Sequence, residues 1–197
     1  MPRSSKHRQA IVRTAALLFR RHGYAATGLA RIVAESGAPK GSVYHYFPEG
    51  KAAIGAAAVA FAGELVRRSL ESLAERSATP GDLLRAYAGQ LAGWMAESGF
   101  RDGCPIATIL LEAATDEPGI RAAGARAGAE WTGILAGALR AHGVAPKRAR
   151  RLALTAIAAL EGSLIQARVA ADTTPILEVA EEIGALFDAA AGDAQQA

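Results

Sequence analysis

Hydrophobic positions recur three and four residues apart through most of the chain, which is the spacing of one face of an α-helix. In the first segment, Ile11, Ala15 and Phe19 share such a face, and arginines occupy the other faces. Strict alternation of polar and apolar residues, which is typical of a half-buried strand, is hard to find. The pattern therefore predicts an all-α fold of about nine helices.

Turn-forming residues divide the amino-terminal region into three helices, predicted over residues 4–22, 28–36 and 39–46. Gly23 is expected to end the first helix as a carboxy-terminal cap. Thr27 is expected to cap the second helix through its hydroxyl. Gly37 makes a tight turn, and Pro39 suits the first position of the third helix. Two short helices joined by a turn, with a helix packed behind them, form a helix-turn-helix module.

The remainder of the chain is predicted to form longer helices, over residues 51–76, 79–98, 105–115, 116–142, 146–171 and 174–191. The tail after Ala191 is expected to fray. The pattern therefore divides the chain into an amino-terminal helix-turn-helix module, residues 1–50, and a longer helical body, residues 51–197.

The formal net charge of +3 is unevenly distributed along the chain. Residues 1–51 contain nine Lys and Arg, with Glu35 and Glu49 as their two acids, which gives +7. The remaining residues contain thirteen basic and seventeen acidic side chains, which gives −4. A basic amino-terminal module on a slightly acidic body indicates a polyanionic partner at that end, although a solvated basic face would have the same composition.

Other classes of protein find little support in the sequence. The single cysteine, Cys104, excludes an internal disulfide and a multi-cysteine zinc site. The four histidines lack a carboxylate or nucleophile pattern, so neither an enzyme nor a metal or cofactor site is expected. The longest uncharged apolar stretch, residues 52–63, is too short to span a bilayer, and a soluble cytoplasmic protein is expected. Binding of the basic first helix to a membrane surface is the alternative.

The start of the third helix carries residues suited to reading DNA in the major groove. Lys40 can reach guanine acceptors or phosphate. The small residues Gly41 and Ser42 permit close approach, and Ser42 can also form a hydrogen bond. Tyr44 can contact a thymine methyl group or a base edge. This helix is therefore the predicted recognition helix.

The rest of the module is expected to support these contacts. His45 and Tyr46 can donate hydrogen bonds to phosphate. Val43 and Phe47, four residues apart, are expected to face inward and hold the helix on its scaffold. Thr27 and the amino end of the second helix offer further phosphate contacts through backbone donors.

Three motifs together resemble the TetR/AcrR family of one-component regulators: GYAAT at 23–27, IVAESGA at 32–38 and PKGSVYHYFP at 39–48. The resemblance covers residues 8–54. It implies a homodimeric repressor that binds a palindromic double-stranded DNA operator and releases it when a small molecule binds. By position, it places the DNA contacts on Thr27, Lys40, Gly41, Ser42, Tyr44, His45, Tyr46 and Lys51.

This sequence departs from the pattern of that family at two points. Many members have the lysine three residues after the phenylalanine, whereas Lys51 follows Phe47 by four, which puts its contact in doubt. Gly28 and Pro39 stand where Thr or Ser is common, so one polar contact at each place is expected to be missing.

The body is similar to that of the LmrA/YxaF-like repressors, through FRDGCPIA at 100–107 and LEAA at 111–114. For the wider family, the resemblance implies that the last two long helices, here 146–171 and 175–190, form a four-helix bundle between subunits. Small residues such as Ala156, Ala159 and Ser163 would let those helices approach closely.

Bulky side chains in an alanine-rich body are candidates for an effector pocket, although ordinary core packing is the competing interpretation. The candidate ligand contacts are Trp94, Met95, Cys104, Leu111 and Trp131. They indicate a small apolar or aromatic effector. Glu112 either anchors such a ligand from a buried position or faces solvent. The alternative function is a DNA-binding regulator without a ligand, either an activator or an architectural protein, whose body serves only dimerisation.

Overall fold

The structure is a computed structural model that describes the backbone of residues 3–196 and the side chains of residues 6–194. Within the described backbone the chain forms nine α-helices and no strand, which confirms the predicted all-α fold. The helices are α1 (Arg3–His22), α2 (Leu29–Ser36), α3 (Lys40–Tyr46), α4 (Lys51–Ala74), α5 (Pro80–Glu97), α6 (Ala107–Ala113), α7 (Pro118–Ala141), α8 (Pro146–Ala170) and α9 (Thr174–Gln196).

The helices are distributed over two compact units. The first unit comprises the chain up to Leu65 together with Cys104–Gly128, and the second comprises Val66–Gly103 and the chain from Ala129 onward. These units are defined by packing alone. The functional boundary at residue 50 therefore stays a prediction.

In the first unit, α1 packs against α2, α3 and α6. Its predicted apolar face is confirmed, because Ile11, Ala15 and Phe19 are fully buried. The Phe19 ring lies 5.1 Å from the ring of Tyr24, between centroids. Burial of these side chains is the main stabilising contribution to the module, at about 1.5–3 kcal/mol for each large apolar side chain. The helix-turn-helix elements thus rest on a packed scaffold.

In the second unit, α9 packs against both α5 and α8. Ile176 and Phe187 are the fully buried large side chains of α9. Leu152 and Leu160 give α8 its buried face. Among the described residues, α8 is the helix whose length and composition would allow it to cross a bilayer. Core helices can pass the same test, and 39% of the 18-residue stretch concerned is buried.

Several helix ends differ from the prediction. Gly28, in an extended conformation, occupies the cap position of α2 without a side-chain bond, so Thr27 does not cap that helix. Pro39 precedes α3 as its cap residue and is not the first helical residue. The prediction of a frayed tail after Ala191 is wrong, because α9 continues to Gln196. Ala190 and Ala191 are buried, which keeps that end of the helix packed.

Candidate nucleic-acid interface

The pair α2 and α3 forms a helix-turn-helix whose inner side is fixed by buried apolar residues. Gly37 joins the helices in the left-handed conformation, with φ of 63°, which a residue with a side chain adopts at a cost. Ile32 of α2 and Val43 of α3 are fully buried, and Phe47 closes the end of α3. The prediction that Val43 and Phe47 face inward is confirmed. The opposite side of α3 is consequently turned to solvent.

The outer side of α3 carries the predicted DNA-reading residues. Lys40, Gly41 and His45 are exposed, and the side chain of Tyr44 is 58% exposed. Ser42 is half-buried, as is Tyr46, whose ring packs edge-on against that of His45 with 4.8 Å between centroids. The structure thus brings these six residues together on one short, accessible helix.

Both short helices begin without a side-chain cap, which leaves backbone amides free at their amino ends. Neither Gly28 at α2 nor Pro39 at α3 makes a side-chain cap bond. No atom lies within 4 Å of the position that a Cβ of Gly28 or Gly41 would occupy. Uncapped helix amino termini attract phosphate through their free N–H groups and the helix dipole. The surroundings of α3 therefore suit a polyanion.

The acid on α2 is neutralised locally. Glu35 accepts a hydrogen bond from Arg31 at 2.6 Å, one helical turn away. Arg31 also lies 3.0 Å from the ring nitrogen Nε2 of His22. The positive charge of Lys40 is therefore not opposed by an unpaired carboxylate on α2.

Thr27 has a different environment from that predicted. Its side chain is fully buried, and its hydroxyl donates to the carbonyl of Gly23 at 2.7 Å. Its backbone N–H donates to the carbonyl of Tyr24 at 3.2 Å, so both donors of Thr27 support the turn and neither is available to a phosphate. Thr27 is therefore corrected from a DNA contact and helix cap to a structural residue.

Lys51 begins α4, as predicted, but its amine lies against the protein. Nζ donates to the carbonyl of Ala25 at 3.3 Å and lies 4.4 Å from the centroid of the Tyr24 ring. Burial, followed by the charge of Glu117, raises the pKa of the Tyr24 phenol, so the ring stays neutral under Lys51 at ordinary pH. An ammonium group has three donors, so this bond leaves two for a phosphate.

Glu112 of α6 contacts the module, which sequence reasoning did not anticipate. Its Oε2 atom accepts a hydrogen bond from the backbone amide of Ala25 at 2.7 Å. The sequence offered Glu112 as a ligand anchor or a solvent-facing side chain. The only feature of the sequence that points to this contact is a carboxylate in an otherwise apolar helix. It does not identify the partner, which is 87 residues away in the chain.

The predicted effector residues are divided between the two units. Met95 and Trp131 are buried in the second unit, whereas Trp94 is 43% exposed there. Cys104 is a buried free thiol in the first unit. Leu111, also in the first unit, is 85% exposed because α6 buries Ile109 and Ala113 on its opposite side. The structure therefore contradicts the prediction that Leu111 lines an apolar pocket.

Comparison with known proteins agrees with this geometry. Residues 11–58 match the model of the bacterial regulatory proteins of the tetR family. Residues 80–182 match the carboxy-terminal domain of LmrA/YxaF-like transcriptional regulators, which is more than half of the chain. The chain belongs to the TetR family. It is a DNA-binding transcriptional regulator of the LmrA/YxaF-like branch, as its motifs predict.

Relatives of this TetR-family regulator span nearly its whole length. It is 32% identical over 179 residues to the HTH-type transcriptional regulator YxaF of Bacillus subtilis, covering 91% of this chain and 94% of YxaF. It is 38% identical over 174 residues to the HTH-type regulator Rv0196 of Mycobacterium tuberculosis, covering 86% and 88% respectively.

Among solved structures, a TetR regulatory protein from Rhodobacter sphaeroides superposes with a TM-score of 0.78 and 27% identity. That match covers 89% of this chain and 96% of the other. These relatives and structural neighbours are transcriptional regulators, and regulators of this family bind DNA and typically dimerise.

Proposed function

We propose that this regulator is a homodimeric repressor that binds a palindromic operator in the cytoplasm and releases it when a small effector binds. The observation that carries the DNA-binding part is the accessible face of α3. Lys40, Gly41 and Tyr44 are exposed on a helix whose other side is anchored by Val43. A recognition helix needs this combination of a rigid inner side and a small, polar outer side.

The proposed contacts divide into base reading and phosphate positioning. Lys40, Ser42 and Tyr44 are assigned to base edges, and Gly41 lets the backbone come close to them. His45 and Tyr46 are assigned to phosphate, as is Lys51 through its remaining donors. The uncapped amino end of α2 adds backbone donors for a further phosphate.

Dimerisation is proposed to use the exposed apolar residues of α8 and α9. Ile165 and Val169 of α8 are 65% and 84% exposed, and Leu177 and Leu186 of α9 are also exposed. Apolar side chains in this number on two adjacent helices favour association with a second copy. Ala156 and Ser163, predicted for that interface, are already buried within the subunit and are not part of it.

Response to an effector is proposed to involve the second unit, where Met95 and Trp131 are buried in an alanine-rich helical bundle. An apolar or aromatic molecule would contact these two side chains and favour one conformation of the body. Operator half-sites lie about 34–36 Å apart, so a modest change in the spacing of the two reading modules releases DNA. The helix α4, which begins at Lys51, would transmit the change.

A regulator without an effector is the second candidate. It is favoured by the exposure of Trp94 and Leu111, two of the five residues predicted to contact a ligand. Thermal melting in the presence of a library of small aromatic compounds separates the two candidates. A compound that raises the melting temperature and lowers operator affinity supports the repressor with an effector. If no compound in the library has both effects, the second candidate is supported.

Selection of bound duplexes from a random pool by the purified protein tests operator binding. The proposal predicts enrichment of an inverted repeat whose half-sites are spaced by about one helical turn or a multiple of it. It also predicts that the logarithm of the affinity falls linearly with the logarithm of salt concentration. Enrichment of no sequence, or of a single unrepeated site, would contradict a palindrome-binding dimer.

A further inference from the structure

The backbone of Ala25, in the turn between α1 and α2, is held by side chains from two different helices. Its N–H, in the peptide group shared with Tyr24, donates to Oε2 of Glu112 in α6 at 2.7 Å. Its carbonyl, in the next peptide group, accepts a hydrogen bond from Nζ of Lys51 in α4 at 3.3 Å. We refer to Glu112, Lys51 and the Ala25 backbone as the Ala25 clamp. All three belong to the first unit.

The turn is shaped to admit the carboxylate. Gly23 adopts φ of +87°, and a Cβ at this position would lie 2.6 Å from Oε1 of Glu112. The absence of a side chain at Gly23 therefore leaves the space that Glu112 occupies. On the other side, Lys51 lies over Tyr24, whose ring packs against Phe19. The amine of Lys51 is thus held against an aromatic ring that is itself packed.

The turn in the clamp leads directly into the helix-turn-helix. Thr27, two residues after Ala25, is buried and donates to the carbonyl of Gly23, and α2 begins at Leu29. A rotation of the backbone at Ala25 would therefore change the direction in which α2 leaves the turn. The position of α3 depends on α2 through the tight turn at Gly37.

We infer that Glu112 is a positioning residue for the reading helices: with Lys51 it fixes the backbone on both sides of Ala25, and through it the orientation of α2 and α3. The inference rests on the proposed operator binding and adds to it a contact between α6 and the module. Glu112 itself does not contact DNA in this scheme. Its effect on DNA binding passes through the backbone of the turn.

Electrostatics alone predicts the opposite effect from positioning, which makes the inference testable. Removal of a carboxylate from a basic DNA-binding unit strengthens its general attraction to phosphate. Loss of a positioning contact weakens binding to the operator and leaves binding to random duplex unchanged or slightly tighter. The informative quantity is therefore the ratio of the two affinities.

Hydrogen exchange at the Ala25 amide measures the clamp without DNA. We expect exchange in Glu112→Ala to be about tenfold faster than in the wild type, because the amide loses a charged acceptor. Glu112→Gln retains a carbonyl acceptor, and its exchange rate should lie closer to that of the wild type. Glu97→Ala, which removes an exposed carboxylate of α5, is the matched control and should leave Ala25 unchanged. Equal Ala25 rates in the wild type and Glu112→Ala would overturn the clamp.

Affinities for the selected operator and for random duplex measure the consequence for DNA reading. Glu112→Ala is expected to reduce the operator-to-random ratio about three- to tenfold, and Glu112→Gln to recover most of it. A ratio in Glu112→Ala equal to or above that of the wild type would overturn the positioning role. If the wild type itself has no operator preference, the proposed function fails, and the positioning of α2 and α3 for reading fails with it. The exchange experiment still decides whether the clamp exists.

Discussion

At the scale of single residues, two glycines of the first unit serve different purposes. Gly23 is required by the backbone, because its φ of +87° lies in the left-handed region and the carboxylate of Glu112 occupies the space beside it. Gly41 is helical and exposed, and nothing lies within 4 Å of the place where its Cβ would be. The fold does not need a glycine at position 41. The proposed close approach of α3 to base pairs needs one, because a side chain there would lie between the helix and the DNA.

Substitution of Gly23 by alanine is expected to destabilise the first unit by about 1–2 kcal/mol, because a side chain is unfavourable at positive φ. The added methyl group should also displace Glu112 from Ala25. Chemical denaturation measures the first effect, and hydrogen exchange at Ala25 measures the second. Gly89→Ala in α5 is the matched control, because Gly89 is helical, has no positive φ and has open space around it. A similar loss of stability in both variants would contradict this explanation.

Gly41→Ala is expected to have effects of opposite sign on folding and on DNA binding. Alanine in a helix stabilises it by about 0.5–1 kcal/mol relative to glycine, so the free energy of unfolding should rise. Operator affinity should fall roughly fivefold or more, because the methyl group prevents close approach. Gly93→Ala in α5, also exposed and with open space, should show the gain in stability alone. Unchanged operator affinity in Gly41→Ala would contradict the assigned face.

The surroundings of a residue could be predicted from the sequence where its neighbours in space are also near in the chain. They could not be predicted where the residue contacts a distant segment. The exposure of Lys40 and Tyr44 follows from helical spacing around the buried Val43. Thr27 was misassigned because its hydroxyl meets the carbonyl of Gly23 instead of the start of α2. The partner of Glu112 could not be predicted, since it depends on a turn 87 residues earlier in the chain.

At the scale of helices, α5 and α9 are joined by a polar cluster around Asp188. Its carboxylate accepts hydrogen bonds from the Gly81 amide and from Arg85, each at 2.9 Å, and Arg85 also donates to Glu181 at 2.9 Å. Burial raises the pKa of Asp188, but hydrogen bonds from Thr79, Arg85 and Gly81 outweigh it and lower the pKa below its ordinary value. The charged carboxylate is therefore the form that stabilises this helix pair.

Asp188→Asn is expected to destabilise the second unit by about 1 kcal/mol at pH 7. The effect is this small because the side chain is one-third exposed and solvent screens its charge. A carboxyl group whose pKa is lower in the folded state stabilises the fold at pH values above its pKa in the unfolded state. That stabilisation is lost as the pH falls through the pKa of the folded state. The gap between wild type and variant should therefore close as the pH falls below about 4. Urea denaturation from pH 7 to pH 3 measures it. Glu182→Gln on the same helix is the control, and a gap that does not depend on pH would contradict the assignment.

Helix identity was more predictable than helix ends. Periodicity and the Gly and Pro punctuation predict about nine helices, and the described backbone contains nine. Thr79, at the start of the predicted fifth helix, caps α5 through its hydroxyl, which accepts a hydrogen bond from the amide of Asp82. The ends of α6 and α9 were misplaced. The last turns of α9 are held by burial of Ala190 and Ala191, which alanine-rich sequence does not reveal. Tertiary packing, which local propensity does not contain, decides such ends.

At the scale of the whole molecule, the proposed dimerisation and operator reading are linked, because two copies of the module are needed to read a palindrome. The exposed side chains of Ile165, Val169, Leu177 and Leu186 are the proposed contact between copies. The sequence analysis names the same two helices for this contact, but it assigns the contact to small residues, because small residues let helices approach closely. Two of those face the core of the second unit, and larger residues occupy the exposed side.

Ile165→Glu is expected to convert the dimer to a monomer, because it places a charge in an apolar contact between copies. Sedimentation velocity measures the mass, and operator affinity should fall at least tenfold while the helical content stays the same. Leu65→Glu, which changes an exposed leucine of α4, is the control and should remain dimeric. A dimeric Ile165→Glu variant would place the subunit contact elsewhere.

The most direct test of DNA reading by α3 is the affinity of the variants Lys40→Ala and Tyr44→Ala for the selected operator and for random duplex. The account predicts a loss of about tenfold or more on the operator in each variant. It predicts a smaller loss on random duplex, largest for Lys40→Ala, because that variant also removes a positive charge. Lys147→Ala, which removes an exposed lysine of α8, should bind the operator like the wild type. Wild-type operator affinity in both α3 variants would contradict the assignment of α3 as the recognition helix.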